Sequence, residues 1–106
     1  MNIETLKQGD NISRPTVGNL ITAHYTGYLP NGQVFDSSVQ KNKPFQFKVG
    51  TGQVIKGWDQ AFLQMCKGQH CRLTIPPELA YGAQGAGGVI PPHATLIFDV
   101  QLLDIQ

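Results

Sequence analysis

Gln53-Val54-Ile55-Lys56-Gly57-Trp58 opens the one segment of this chain with a good helical pattern. Trp58, Ala61, Phe62 and Met65 fall at i, i+3, i+4 and i+7, a single apolar stripe that needs a core to face. Lys67-Gly68 then offers a basic last turn and a glycine stop. The rest of the chain reads as short strands and turns, so the expected architecture is a sheet folded over one short helix. The lone tryptophan then stands at the helix start, near the mouth of the sheet. It serves there either as a core anchor or as the floor of a small apolar pocket.

A chain of 106 residues is read as one domain, 1–106, able to bury roughly 65% of its unfolded surface without disulfide staples. Eight Lys and Arg against seven Asp and Glu leave a net charge of +1, scattered along the chain. No basic cluster suits nucleic acid, and no apolar run approaches the roughly 20 residues of a membrane span. The polar start Met1-Asn2-Ile3-Glu4-Thr5 is unlike a signal peptide, which points to the cytoplasm. Cys66 and Cys71 are the only cysteines, with His70 beside the second. They lack the second pair that a metal site wants, and Cys71 alternates with Leu73 and Ile75 as an inward-facing hydrophobe. Both are read as reduced and structural.

Strand signals surround the helix. Phe45-Gln46-Phe47-Lys48-Val49 and His70-Cys71-Arg72-Leu73-Thr74-Ile75 alternate apolar and polar residues. Leu20 to Leu29 and Thr95 to Leu103 are longer, with apolar residues on both faces, as in central strands. Pro30-Asn31-Gly32 is a hairpin signal, since Asn-Gly tolerates positive φ. One segment has no period: Ala80 to Pro92 holds four glycines and two prolines. A loop that long in a compact domain is often functional, and Tyr81, Val89 and Ile90 are candidates for an apolar lip on a flexible flap.

Reactive machinery is missing. The chain has no Gly-x-Ser-x-Gly elbow and no His-Glu-x-x-His pair, and His24, His70 and His93 are far apart in sequence. Asp36 stands out, because it directly follows Phe35 at a strand end. A carboxylate beside apolar surface needs partners, and a tyrosine hydroxyl or a lysine would serve; equally, it ties down a turn through Ser37 and Ser38. What remains is rich in aromatics and poor in reactive groups, which suits ligand binding or a reaction that makes no covalent bond to the protein. No metal and no cofactor is expected.

Six ordered blocks carry a resemblance. They are His24-Tyr25-Thr26-Gly27, Gly32 with Phe35-Asp36-Ser37-Ser38, Pro44-Phe45 with Phe47, Gly50 with Gln53-Val54-Ile55-Lys56-Gly57-Trp58, Leu79-Ala80-Tyr81-Gly82, and Ile90-Pro91-Pro92-His93-Ala94-Thr95-Leu96. In these the chain resembles the FKBP family of immunophilin peptidyl-prolyl isomerases, which bind the macrolides tacrolimus and rapamycin. The resemblance implies an α+β fold, a twisted antiparallel half-barrel of about five strands wrapped around one short α-helix. It implies a ligand site of Tyr25, Phe35, Asp36, Phe45, Gln53, Val54, Ile55, Trp58, Tyr81, Ile90 and Phe98, with the catalytic set Asp36, Tyr81, Phe35, Trp58 and Phe98.

In that scheme Trp58 is the floor under a proline ring, and Phe35, Phe45, Phe98 and Tyr25 are its walls. The Ile55 N–H and the Tyr81 hydroxyl donate to ligand carbonyls, Asp36 accepts from a ligand hydroxyl, and the Gln53 carbonyl is a further acceptor. The implied partners are proline-containing peptides and proteins and the two macrolides, with drug-dependent ternary partner proteins beyond them and a monomer as the working form. A non-catalytic regulatory subunit using the same pocket rim is the alternative. Two departures bear on this: Lys41 stands where the family often has arginine, and Gly85-Ala86-Gly87-Gly88-Val89 is a slighter flap tip than usual.

Overall fold

The computed structural model describes residues Met1–Gln106. In chain order its elements are β1 (Asn2–Lys7), β2 (Leu20–Tyr28), β3 (Val34–Ser37), β4 (Phe45–Lys48), α1 (Lys56–Phe62), β5 (His70–Ile75) and β6 (Leu96–Ile105). All strand pairs are antiparallel, in the order β1-β5-β6-β2-β3, with β4 also on β2. β3 pairs with Thr26–Tyr28 and β4 with Leu20–Ala23, so together they fill one strand position on the same edge of β2. The expected half-barrel of about five strands around one helix is what forms, its outermost strand split in two. Residues Ser38–Pro44 loop out at the split, beside His24 and Tyr25.

Period-two patterning selects the concave face. Ile21 and Ala23 of β2, Cys71, Leu73 and Ile75 of β5, and Leu96, Phe98, Val100 and Leu102 of β6 are all buried against α1. β2 and β6 are interior strands as expected, but their second face is only half-buried, through residues such as Thr22, His24, Asp99 and Gln101. Both cysteines are free and buried. Gln69 bridges them, accepting from the Cys66 thiol at 3.4 Å and donating to Cys71 Sγ at 3.3 Å.

Three local readings need correction. The helix stops at Phe62, short of Lys67-Gly68. Gln64 and Met65 donate instead to the carbonyls three residues back, while Lys67 and Gly68 donate to Ser13 and Leu102. Tertiary backbone bonds outcompete a further helical turn, although Met65 still completes the buried stripe. The polar start, read only for its lack of a leader, is an edge strand whose backbone is paired by β5 and whose side chains are mostly exposed. In the β2–β3 hairpin only Gly32 has positive φ; Gly32 donates to Leu29, and Asn31 instead accepts from the Gln33 N–H through its side chain. This is a type I-like turn closed by a left-handed glycine rather than an Asn-Gly turn with both residues left-handed. No helix is long and apolar enough to cross a membrane.

α1 lies close to β5 because residue 57 has no side chain. A Cβ there would sit 2.7 Å from Ile75 Cγ2 and 2.8 Å from its Cδ1, and Ile75 is fully buried. Helix propensity favours alanine over glycine by about 1 kcal/mol, whereas overpacking a core costs about 1–3 kcal/mol. The clash is expected to win: Gly57→Ala destabilises in urea unfolding despite its better propensity, and Ile75→Ala in the same chain makes the Gly57→Ala step cheaper.

Candidate functional site

A cavity of about 250 Å³ opens at the end of the half-barrel above Trp58. Its walls come from distant parts of the chain: Tyr25 of β2, Phe35 and Asp36 of β3, Phe45 of β4, Gln53, Val54 and Ile55 before the helix, Trp58 of α1, Tyr81, and Phe98 of β6. Ten of the eleven residues assigned from the sequence thus meet in one place. Ile90 is the exception, buried against the core and absent from the cavity wall.

Trp58 organises the aromatic part. Its ring lies 5.0 Å from Tyr25, 5.3 Å from Phe98, 5.5 Å from Phe62, 5.8 Å from Phe47 and 6.0 Å from Phe45, centroid to centroid. The Tyr25, Phe98 and Phe45 contacts are edge-to-face, the favoured geometry for ring quadrupoles. Trp58 Nε1 is the one buried side-chain nitrogen or oxygen without a hydrogen-bond partner. Phe98 in turn meets Phe35 edge-on at 5.5 Å. That pair needs Gly27, where a Cβ would stand 2.5 Å from Phe35 Cζ and 2.9 Å from Phe98 Cε1. Reading Gly27 only as part of a sequence block missed this role, yet a glycine inside a strand is itself a sign of close approach.

The polar wall is equally ordered. Asp36 accepts from the Tyr25 hydroxyl at 2.6 Å and from the Ser37 N–H at 2.9 Å, and pairs with Lys41 Nζ at 2.8 Å. Both partners anticipated for this carboxylate, a tyrosine and a lysine, are present, and so is the turn contact to Ser37. Burial alone would raise the Asp36 carboxyl, but Lys41 and the Tyr25 hydroxyl outweigh it and hold it below the ordinary carboxylate value. Burial and the donated bond to Asp36 push the Tyr25 phenol well up, and burial with the Asp36 charge raises Tyr81. By contrast, the Tyr81 hydroxyl, the Ile55 N–H and the Gln53 carbonyl are engaged by no group of the chain.

The glycine-rich stretch is shaped by its own backbone. Ala86 and Ile90 exchange both hydrogen bonds, at 2.9 and 3.0 Å, and His93 donates to Gly82. Of the lip residues named from sequence, Tyr81 and Val89 are exposed but Ile90 turns inward. Gly85 has φ +66°, and a Cβ there would stand 2.2 Å from the Ile90 carbonyl, so the tip closes only around glycine. Of the histidines, His24 shares a hydrogen with Ser38 Oγ, His70 begins β5, and His93 is exposed in the loop before β6.

Comparison with known proteins adds to this geometry. The model of the family described as FKBP-type peptidyl-prolyl cis-trans isomerase matches residues 12–103. The chain belongs to this family of prolyl isomerases. It is 55% identical to FK506-binding protein 1 of Kluyveromyces lactis over 95% of this chain and 89% of that protein. Identity to FK506-binding protein 1 of Saccharomyces cerevisiae is 51%, over 98% of this chain and 91% of the relative. FK506-binding protein 2 of Candida glabrata is 61% identical over 83% of this chain, which covers 65% of that longer protein. Within the FKBP half-barrel, then, an aromatic floor and a carboxylate held by three partners line one opening.

Two outcomes follow from the contacts. Lys41→Met removes the main opposing charge, so the Asp36 carboxyl rises toward or past its ordinary value in a carboxyl-detected NMR titration. Because the folded-state value is depressed, the stability Asp36 confers is complete above the unfolded value, near 3.9, and is lost as pH falls through the lower folded one. In Lys41→Met that contribution shrinks and its pH window narrows, because the folded value rises while the unfolded one is unchanged. Gly27→Ala drives the Phe35 and Phe98 rings from their edge-to-face contact, which is expected to shift their ring-proton resonances and destabilise the fold by about 1–3 kcal/mol.

Proposed function

We propose that this isomerase seats a prolyl ring on Trp58 between Phe35, Phe45, Phe98 and Tyr25, and lowers the rotation barrier of the preceding amide without covalent chemistry. The observation that carries the reading is the pairing, around one apolar cavity, of rings with three unengaged hydrogen-bonding groups: the Tyr81 hydroxyl, the Ile55 N–H and the Gln53 carbonyl. Two donors and one acceptor suit the carbonyls and N–H of a peptide flanking a proline. Asp36 keeps room for one more donor after its three partners, so it suits a ligand hydroxyl.

The energetics favour this use of an apolar site. Amide rotation faces a barrier of about 18–20 kcal/mol, because the planar form gains resonance and draws charge onto oxygen. Moving that polar planar form out of water costs more than moving the twisted form, which has lost the resonance. A dry aromatic cavity shaped for the twisted bond therefore binds the transition state more tightly than the ground state, and each 1.4 kcal/mol of difference is tenfold in rate. Asp36, Tyr81, Phe35, Trp58 and Phe98 are the proposed catalytic set, with a bulky apolar residue preferred before the proline.

The names of the relatives support tacrolimus (FK506) as a ligand of the same cavity; rapamycin, implied by the family resemblance, is proposed as a second macrolide. At about 250 Å³ the cavity is small beside the roughly 300–1,000 Å³ of drug-sized sites. A macrolide would insert one ring and leave the rest over the rim, where further proteins can meet it. Free buried thiols support a reducing compartment such as the cytoplasm; the monomer is the proposed working form.

The test is the cis–trans rate of a Leu-Pro peptide with and without the protein, titrated with tacrolimus. Acceleration abolished at one drug per chain is expected. Phe35→Ala should lower kcat/KM by about 10–100-fold, as for a buried aromatic contact, and Tyr81→Phe by about 2–10-fold, as for one neutral hydrogen bond. No acceleration, or acceleration untouched by the drug, would overturn the reading.

A further inference from the structure

The split in the edge strand does more than shape the sheet. The segment Ser38–Pro44 that loops out between β3 and β4 walls a second groove, of about 330 Å³, and this groove shares Tyr25 and Phe45 with the Trp58 cavity. Lys41 and Lys43 line it, and no carboxylate does. The two lysines are not equivalent. Lys41 is committed to Asp36 at 2.8 Å, and Asp36 is further engaged by Tyr25 and Ser37. Lys43 takes part in none of the ion pairs of the molecule, which are Lys41–Asp36, Lys67–Asp104 and Arg72–Asp99.

Its backbone is nevertheless held in place. The Lys43 N–H donates to Ser38, Asn42 donates to Val39 and Lys41 donates to Ser37, and the Pro that follows fixes its own φ. An unpaired ammonium on a pinned loop thus stands one aromatic ring away from the prolyl cavity. The opposite flank differs: a groove there, sharing Val54, Ile55 and Tyr81 with the cavity, mixes Lys56 with Glu78 and Asp59. The Asp59 carboxylate is itself taken up by the Gly50 and Gly52 N–H groups. The mouth is therefore basic on one side and of mixed sign on the other.

We infer that Lys43 forms a specificity subsite for an acidic residue of the peptide whose proline occupies the Trp58 cavity. The inference rests on the prolyl-pocket reading above. Charge complementarity selects the occupant: an extended peptide advances about 3.3–3.6 Å per residue, so a carboxylate two residues from the proline reaches past the Phe45 wall. Only one side of the proline benefits, because only one flank is uniformly basic.

The experiment uses Leu-Pro peptides carrying Glu or Gln either two residues before or two residues after the proline, at low ionic strength. The Glu-to-Gln ratio of kcat/KM is expected to be about two- to fivefold at one of the two positions, carried by KM, as for an exposed ion pair. That ratio falls to near one in Lys43→Gln, drops below one in Lys43→Glu, and fades at 0.5 M salt. Ratios of one at both positions, or a preference that survives Lys43→Gln, would overturn the inference while leaving the isomerase reading intact. Failure to accelerate even the Gln peptides would instead count against the isomerase reading. Trp58 fluorescence titrations of the Glu and Gln peptides would then read the Lys43 subsite as binding alone, with the same ratios deciding.

Discussion

The burial of Trp58 in the first turn of a seven-residue helix is the constraint on which the rest depends. A helix that short has no stability of its own in water, and Ile55 offers its N-terminus no side-chain cap. It persists because Trp58, Ala61 and Phe62 press into the concave sheet, and because Gly57 lets the backbone come up against Ile75. The same indole that anchors the helix is also the cavity floor. Core and site share a side chain, so the ring positions at the opening inherit the rigidity of the packed interior. Phe62 and Phe47 pack on the tryptophan from the core, while Tyr25, Phe45 and Phe98 flank it as further walls of the cavity.

On the polar side the organising group is Asp36. A carboxylate at the edge of an apolar cavity is costly unless donors reach it, and three do so here. Tyr25 reaches it across the β2–β3 ladder, and Lys41 reaches it from the loop that splits the edge strand. A lysine makes one point contact where a guanidinium would make two, so the loop is steadied chiefly by its backbone bonds to Ser37, Ser38 and Val39. Ser38 adds to this, accepting from the Tyr25 N–H and sharing a hydrogen with His24. The interruption of one strand thus supplies both the anchor for Asp36 and a free cation at the rim.

Much of this was legible in the sequence, and unevenly so. Alternation in His70–Ile75 marked a strand whose bounds the structure reproduces, and alternation in Phe45–Val49 one that ends a residue earlier, at Lys48, because burial of one face enforces the period of two. The helix register was legible from Trp58, Ala61 and Phe62, but its end was not: what stops it is a set of bonds from Lys67 and Gly68 to Ser13 and Leu102, partners remote in sequence. β1 left little trace because an edge strand is held by backbone pairing and exposes its side chains. The family resemblance named all ten lining residues, Phe98 from outside the quoted blocks, and one residue too many, Ile90, which two backbone bonds with Ala86 hold in the core. Composition could not reveal that Gly27 and Gly85 are places where a Cβ would meet an aromatic ring and a carbonyl oxygen.

The absence of an acid–base pair or nucleophile in the sequence becomes intelligible once the cavity is seen as a solvent rather than as a reagent. Every titratable group beside it is held in one state near neutral pH: Asp36 is pinned as the carboxylate, and Tyr25 and Tyr81 are pushed further from ionising. Such groups make poor proton shuttles, since efficient shuttles titrate near the working pH. They make good fixed dipoles, since they need no reorganisation as the amide twists. On the proposed mechanism, a site built this way gains its rate from the difference between two solvations of one bond. On that reading its selectivity comes from the rim, where Phe45, the flap and the loop bearing Lys43 would meet the residues on either side of the proline.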